Sequence, residues 1–135
     1  MLSNVITYDP TLIRGCEIAK AIAKETQHSA WGPAHLLSGL MNNEVGLGIE
    51  LSLAGIDASF IKEWAEIRVD NYPKAGNSVH DPEPDVKSKA VLEVADMIRL
   101  KLGHDQINVL DVFIALSRPE VGFTADQLKS YPVNE

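Results

Sequence analysis

Apolar residues recur along this chain at intervals of three and four, the period of one helix face, and almost nowhere alternate. After Asp9-Pro10, Leu12, Cys16, Ala19, Ile22, Ala23 and Thr26 predict a helix over about 10–26. Asp can hold the first free amides there, and Pro is tolerated at the first helical position. Gly32-Pro33 opens a shorter helix with Leu36, Leu37, Leu40 and Met41 inward, stopping near Asn42-Asn43. A third segment over 46–54 closes at Gly55, where a left-handed residue is expected. Asp57 caps a fourth helix with the stripe Phe60, Ile61, Trp64 and Ile67. Residues 71–85 contain Pro73, Gly76, Pro82 and Pro84 with little that is apolar, so they read as an exposed linker. Beyond it, Val91, Val94, Ala95, Ile98 and Leu102 form a stripe ended by Gly103, and Asn108 caps a helix carrying Val112, Phe113 and Leu116 that stops at Pro119. Thr124-Ala125-Asp126-Gln127 has capping-box spacing and starts a last short helix. No strand is expected.

The pattern repeats. A shift of 76 residues superimposes Ile18 on Val94, Ala19 on Ala95 and Ile22 on Ile98 without a gap, then Trp31 on Ile107, Leu36 on Val112, Leu37 on Phe113 and Leu40 on Leu116. It also brings Glu44-Val45-Gly46 onto Glu120-Val121-Gly122. The expectation is an all-α fold of two tandem four-helix repeats, one over about 9–70 and one over about 86–135, joined by 71–85. Neither half is large enough for a good core alone, so the two pack as one compact pseudo-twofold domain.

At 135 residues, 45% hydrophobic and 23% charged, the chain has ordinary globular composition and room for one domain. Its net charge of −7 is evenly spread, with no basic stripe to neutralise phosphates, so nucleic acid and anionic membranes are not expected partners. The single cysteine, Cys16, has no intramolecular disulfide partner, and the first residues have no basic n-region or long apolar run. A cytoplasmic location is expected.

Candidate chemistry is thin. His35 and Ser38 lie three apart on one helix, and His35 falls opposite Asp111 in the repeat. A hydrolytic role for His35, Ser38 or Cys16 is one reading; a polar residue satisfying backbone at the head of a packing helix is the better supported one. His28, His35, His80 and His104 have no zinc-site spacing, so no metal is expected. Asp81, Glu83 and Asp85 read as a solvated charge run between prolines. Cys16, Trp31 and Trp64 all read as core.

The segment Trp31-Gly32-Pro33-Ala34-His35-Leu36-Leu37-Ser38-Gly39-Leu40, its partner Ile107-Asn108-Val109-Leu110-Asp111-Val112-Phe113-Ile114-Ala115-Leu116, and the Gly55-Ile56-Asp57 turn resemble the Clp N-terminal domain over about residues 8–131. That resemblance implies a non-catalytic domain that captures substrate or adaptor segments ahead of a hexameric ATP-driven unfoldase. The domain itself is expected to be monomeric and without cofactor, ATP and Mg belonging to the motor. No Gly-x-x-x-x-Gly-Lys-Ser/Thr phosphate loop occurs, Gly46-Leu47-Gly48 lacking the Lys, so the chain is expected to be part of a longer protein. The Gly-Pro-Ala-His-Leu-Leu block and Glu63-Trp64-Ala65-Glu66 are similar to the branch that disassembles contracted type VI secretion sheaths, with a general disaggregase or protease-partner unfoldase as the alternative. The resemblance further implies a shallow hydrophobic groove lined by Ile6, Tyr8, Leu12, Leu92, Leu110 and Asp111, taking an amphipathic sheath-protein helix. Ile13 and Val109 are further apolar residues off the main stripes.

Overall fold

Two aspartates 76 positions apart start the two halves of the molecule. In the computed structural model, which describes residues 7–74 and 81–131, Asp9 Oδ1 accepts the amides of Thr11 and Leu12 at 2.8 and 3.2 Å and begins α1 (Pro10–Glu25). Asp85 accepts the amide of Ser88 at 2.7 Å and begins α5 (Val86–Leu102). These bonds satisfy amides that the helix itself leaves free. Asp85 is therefore a helix cap rather than a member of a solvated charge run.

The same shift relates α2 (Pro33–Leu40) to α6 (Val109–Ser117) and α3 (Leu47–Leu53) to α7 (Ala125–Leu128). For α4 (Ala58–Asp70) the equivalent first position is residue 134, outside the described residues. Among the described residues the second unit accordingly shows three helices where the first shows four. All eight residues of α2 are buried, and it contacts α1, α4, α5 and α6, so it is the centre of the core. Its crossing with α1 is close: a β-carbon on Gly39 would stand 2.5 Å from the carbonyl oxygen of Gly15 and 3.0 Å from the amide nitrogen of Ala19.

The expectation of no strand is corrected in a small way. β1 (Ala30–Trp31) and β2 (Glu83–Pro84) pair in parallel, Trp31 opposite Pro84, and Tyr8 forms an equivalent isolated bridge with Ile107. Asp85 N–H donates to the Trp31 carbonyl at 3.0 Å; across the other seam Asp9 N–H donates to the Ile107 carbonyl at 2.9 Å, and Ile107 N–H to the Thr7 carbonyl at 3.0 Å. Pairs of this length need no alternating pattern, so nothing in the hydropathy announces them.

Three other expectations change. Phe60, Ile67 and Leu102 are exposed, at 47%, 55% and 60%. The inward stripe of α4 is instead Ile61, Trp64, Ala65 and Val69, because Trp64 turns the helix onto Phe123 and Tyr131, whose rings meet it edge-on at 4.8 and 4.7 Å. Segment 71–85 is anchored at both described ends: Pro82 is buried, and the Tyr72 hydroxyl accepts the Ala34 amide at 3.0 Å while its ring stacks on His35. Residues 75–80 lie outside the described residues. Among the described residues no helix is long and apolar enough to cross a membrane.

Gly39→Ala is expected to destabilise the domain by about 1–3 kcal/mol, since the added methyl meets backbone that cannot swing aside. Gly48→Ala, whose β-carbon would find its nearest neighbour at 3.6 Å, is the control. Urea denaturation midpoints of the two variants check the difference.

Candidate functional site

His35 and Asp111 occupy equivalent places and do the same work. Each is the third residue of a buried helix and turns back to accept the amide at the helix cap: His35 Nδ1 from Gly32 at 2.9 Å, Asp111 Oδ2 from Asn108 at 2.9 Å. The first bond fixes the His35 proton on Nε2, which faces His28 Nδ1 at 3.1 Å, and His28 Nε2 then donates to the Tyr72 carbonyl at 3.2 Å. Burial first, and His28 beside it second, push the His35 imidazole down to about 4. Asp111 is wholly buried and its Oδ2 also receives His104 Nε2 at 2.6 Å.

Both ring nitrogens of His35 are thus occupied, and no hydrogen bond among the described residues joins it to Ser38, Cys16 or Asp111. Burial pushes the Cys16 thiol up to about 11, with Glu17 adding to the rise, so it stays protonated near neutrality and is a poor nucleophile. Among the described residues no three His, Cys, Asp or Glu side chains converge as metal ligands; His80 lies outside those residues.

What the fold does present is a groove of about 400 Å³ beside the β1–β2 seam, in the range of ligand-sized clefts. Trp31 and Leu92 form its floor, both under 10% exposed, with Tyr8, Cys16 and Pro84 half-buried beside them and Ile13 standing out at 44% exposure. Glu17, Lys20, Asp81 and Glu83 border it. A larger cavity of about 550 Å³ lies between α3 and α4, within the first unit and away from both seams.

The six residues expected to line the groove part company here. Tyr8 and Leu92 are brought together in it. Leu12 is wholly buried on the inner face of α1 and offers a ligand no surface, and Asp111 is consumed in capping α6, so both are corrected to structural roles. Leu110 is 43% exposed on α6 but does not border the cavity. Ile6 lies outside the described residues. Cys16, Trp31 and the β2 residues were missed as lining, although the repeat carries the signal: Tyr8 is equivalent to Pro84, and Cys16 to Leu92. The groove sits where equivalent residues of the two units meet.

The family model for the Clp repeat (R) N-terminal domain matches residues 14–131. No curated protein matches significantly. Among solved structures, the Hsp104 N-terminal domain from Candida albicans is similar at 17% identity and a TM-score of 0.72, covering 92% of this chain and 87% of that one. A structure described as a peptide from the EAEC T6SS Sci1 SciI protein shares 20% identity at a TM-score of 0.69, covering 90% and 84%. One from preliminary structural investigations of a malarial protein secretion system shares 21% at 0.69, covering 92% and 90%. At these identities the likeness concerns the fold, and the all-α architecture agrees with it.

Because His35 is held below its ordinary value of 6.5, the unfolded chain takes up this proton first as pH falls. The contribution to stability is complete above about pH 6.5 and is lost as pH falls toward 4, the loss reaching about 2 kcal/mol by pH 5. His35→Gln, which can still accept the Gly32 amide, is expected to be less stable at pH 7 yet flatter between pH 7 and pH 5. Urea midpoints at the two pH values measure both effects.

Proposed function

This chain belongs to the Clp repeat (R) N-terminal domain family, and on that premise we propose that its seam groove captures segments of client proteins for an ATP-driven Clp unfoldase. Domains of this family bind substrates or adaptors and are not themselves catalytic. The observation that carries the reading is the groove itself, an apolar floor of Trp31 and Leu92 with Ile13 and Tyr8 exposed enough to meet a partner. It rests on helices and paired backbone, which hold it in shape before a client arrives.

The occupant is an amphipathic helix or unfolded segment whose apolar anchors, spaced three or four apart, enter the groove. The groove is short, so binding near the micromolar level, about −8 kcal/mol, is expected, weak enough to pass a client onward. The favoured client is an amphipathic helix of a type VI secretion sheath protein. The Gly-Pro-Ala-His-Leu-Leu block at 32–37 supports that branch, as does the fold shared with the structure described as a T6SS peptide. The domain works as a monomer in isolation and as six copies on its motor, which supplies the ATP and Mg chemistry.

Calorimetric titration of the domain with N-terminal peptides of sheath proteins tests this. Micromolar binding is expected, and Ile13→Ser, at an exposed position, should weaken it by about 1–2 kcal/mol without moving the thermal midpoint. Heat from an unfolded model protein, with none from any sheath peptide, would transfer the reading to a general disaggregase.

A further inference from the structure

The groove is apolar at its floor and acidic at its rim. Resting on the capture reading above, we propose that it selects amphipathic segments whose apolar anchors are flanked by lysine or arginine. Three carboxylates border the groove, Glu17 from α1 with Asp81 and Glu83 from the strand leading into α5, against one cation, Lys20. That cation is already engaged, its Nζ 2.7 Å from Asp81 Oδ1. Arg14 reaches Glu17 only at 3.4 Å and holds Glu44 more closely, through two nitrogens at 3.1 and 3.2 Å. Glu83 meets no cation among the described residues.

Asp81 is held by Lys20, with Lys24 also acting on it, so an apolar anchor seated on Trp31 and Leu92 has as its open neighbours Glu83 and the loosely held Glu17. A basic neighbour gains an ion pair; an acidic one is repelled and must be held in place by the anchor alone. The equivalents of Asp81 and Glu83 in the first unit are Val5 and Thr7, so their charge is not a by-product of the duplication that made the floor, whereas Glu17 is matched by Glu93. Exposed pairs are individually weak, and two of them together predict a preference of about three- to tenfold.

The experiment compares two amphipathic peptides of roughly 16 residues with identical apolar anchors, one flanked by Lys and one by Glu, by fluorescence anisotropy against the domain at ~20 mM and ~500 mM salt. The Lys-flanked peptide should bind about three- to tenfold more tightly at low salt, with the gap closing at high salt as screening sets in. Glu17→Gln with Glu83→Gln should bring the two peptides within about twofold of each other, while Glu50→Gln with Glu63→Gln, the same charge change away from the groove, should preserve the gap. Equal binding of the two peptides by the natural chain overturns the inference alone, as does a control variant that closes the gap. Failure of both peptides to bind overturns the groove reading, and this inference with it.

Discussion

Each half of this molecule supplies the backbone partner that a buried loop in the other half needs. Trp31 is only 6% exposed, and its carbonyl is met by Asp85 N–H and by the Ser88 hydroxyl, both from the second half. Ile107 is wholly buried, and its amide and carbonyl are met by Thr7 and Asp9 from the first. Losing either pairing while the core stays closed would leave these groups buried without partners, each at a cost of about 1–3 kcal/mol. The repeats are therefore not modules that happen to touch. The strands that pair them also lead into the two long helices, so the seam sets where α1 and α5 begin and how they lie against the buried α2.

The capping residues illustrate how one structural task is met by two chemistries with different consequences. Asp111 and His35 both accept a cap amide from inside the core. A carboxylate does so at any pH where it is ionised; an imidazole does so only while neutral. The first unit is thereby tied to pH through His35 and, through His28, to the Tyr72 carbonyl that anchors the crossing segment. A residue with this many structural obligations has no lone pair left for catalysis, which is why the hydrolytic reading of His35 loses its footing in the geometry and not merely in plausibility.

The helices and their ends were readable because each rests on a local rule: an Asp, Asn or Thr accepting the amides ahead of it, a glycine adopting φ near +80° at Gly55 and Gly103, an apolar residue every three or four positions. The duplication was readable because its shift is free of gaps. The stripe of α4 misled because Ile61 and Trp64 fit two faces, and Phe60 and Ile67 happen to flank the wrong one. The groove was half readable for a different reason. Helical spacing sets Leu12 and Asp111 near Tyr8 and Leu92 but carries no depth, and depth is a property of the packed helices. Docking of Tyr72 and Pro82 was invisible, since it depends on a partner surface far away in sequence.

Duplication explains why a groove forms where it does. Two copies of one unit, related by an approximate twofold axis, bring equivalent residues together near that axis, so Tyr8 faces the region of Pro84 and Cys16 that of Leu92. Small or flat side chains at such pairs leave space that neither unit alone would enclose. Symmetry of this kind gives a binding surface but no direction, since an apolar segment could lie on it either way. Selectivity must come from positions where the copies have diverged. Ile13, equivalent to Lys89, and Trp31, equivalent to Ile107, supply unequal apolar surface; Asp81 and Glu83, equivalent to Val5 and Thr7, add charge at the border of the groove that the first unit has no counterpart for. The shared residues thus account for the existence of the groove, and the divergent ones for which segment it prefers.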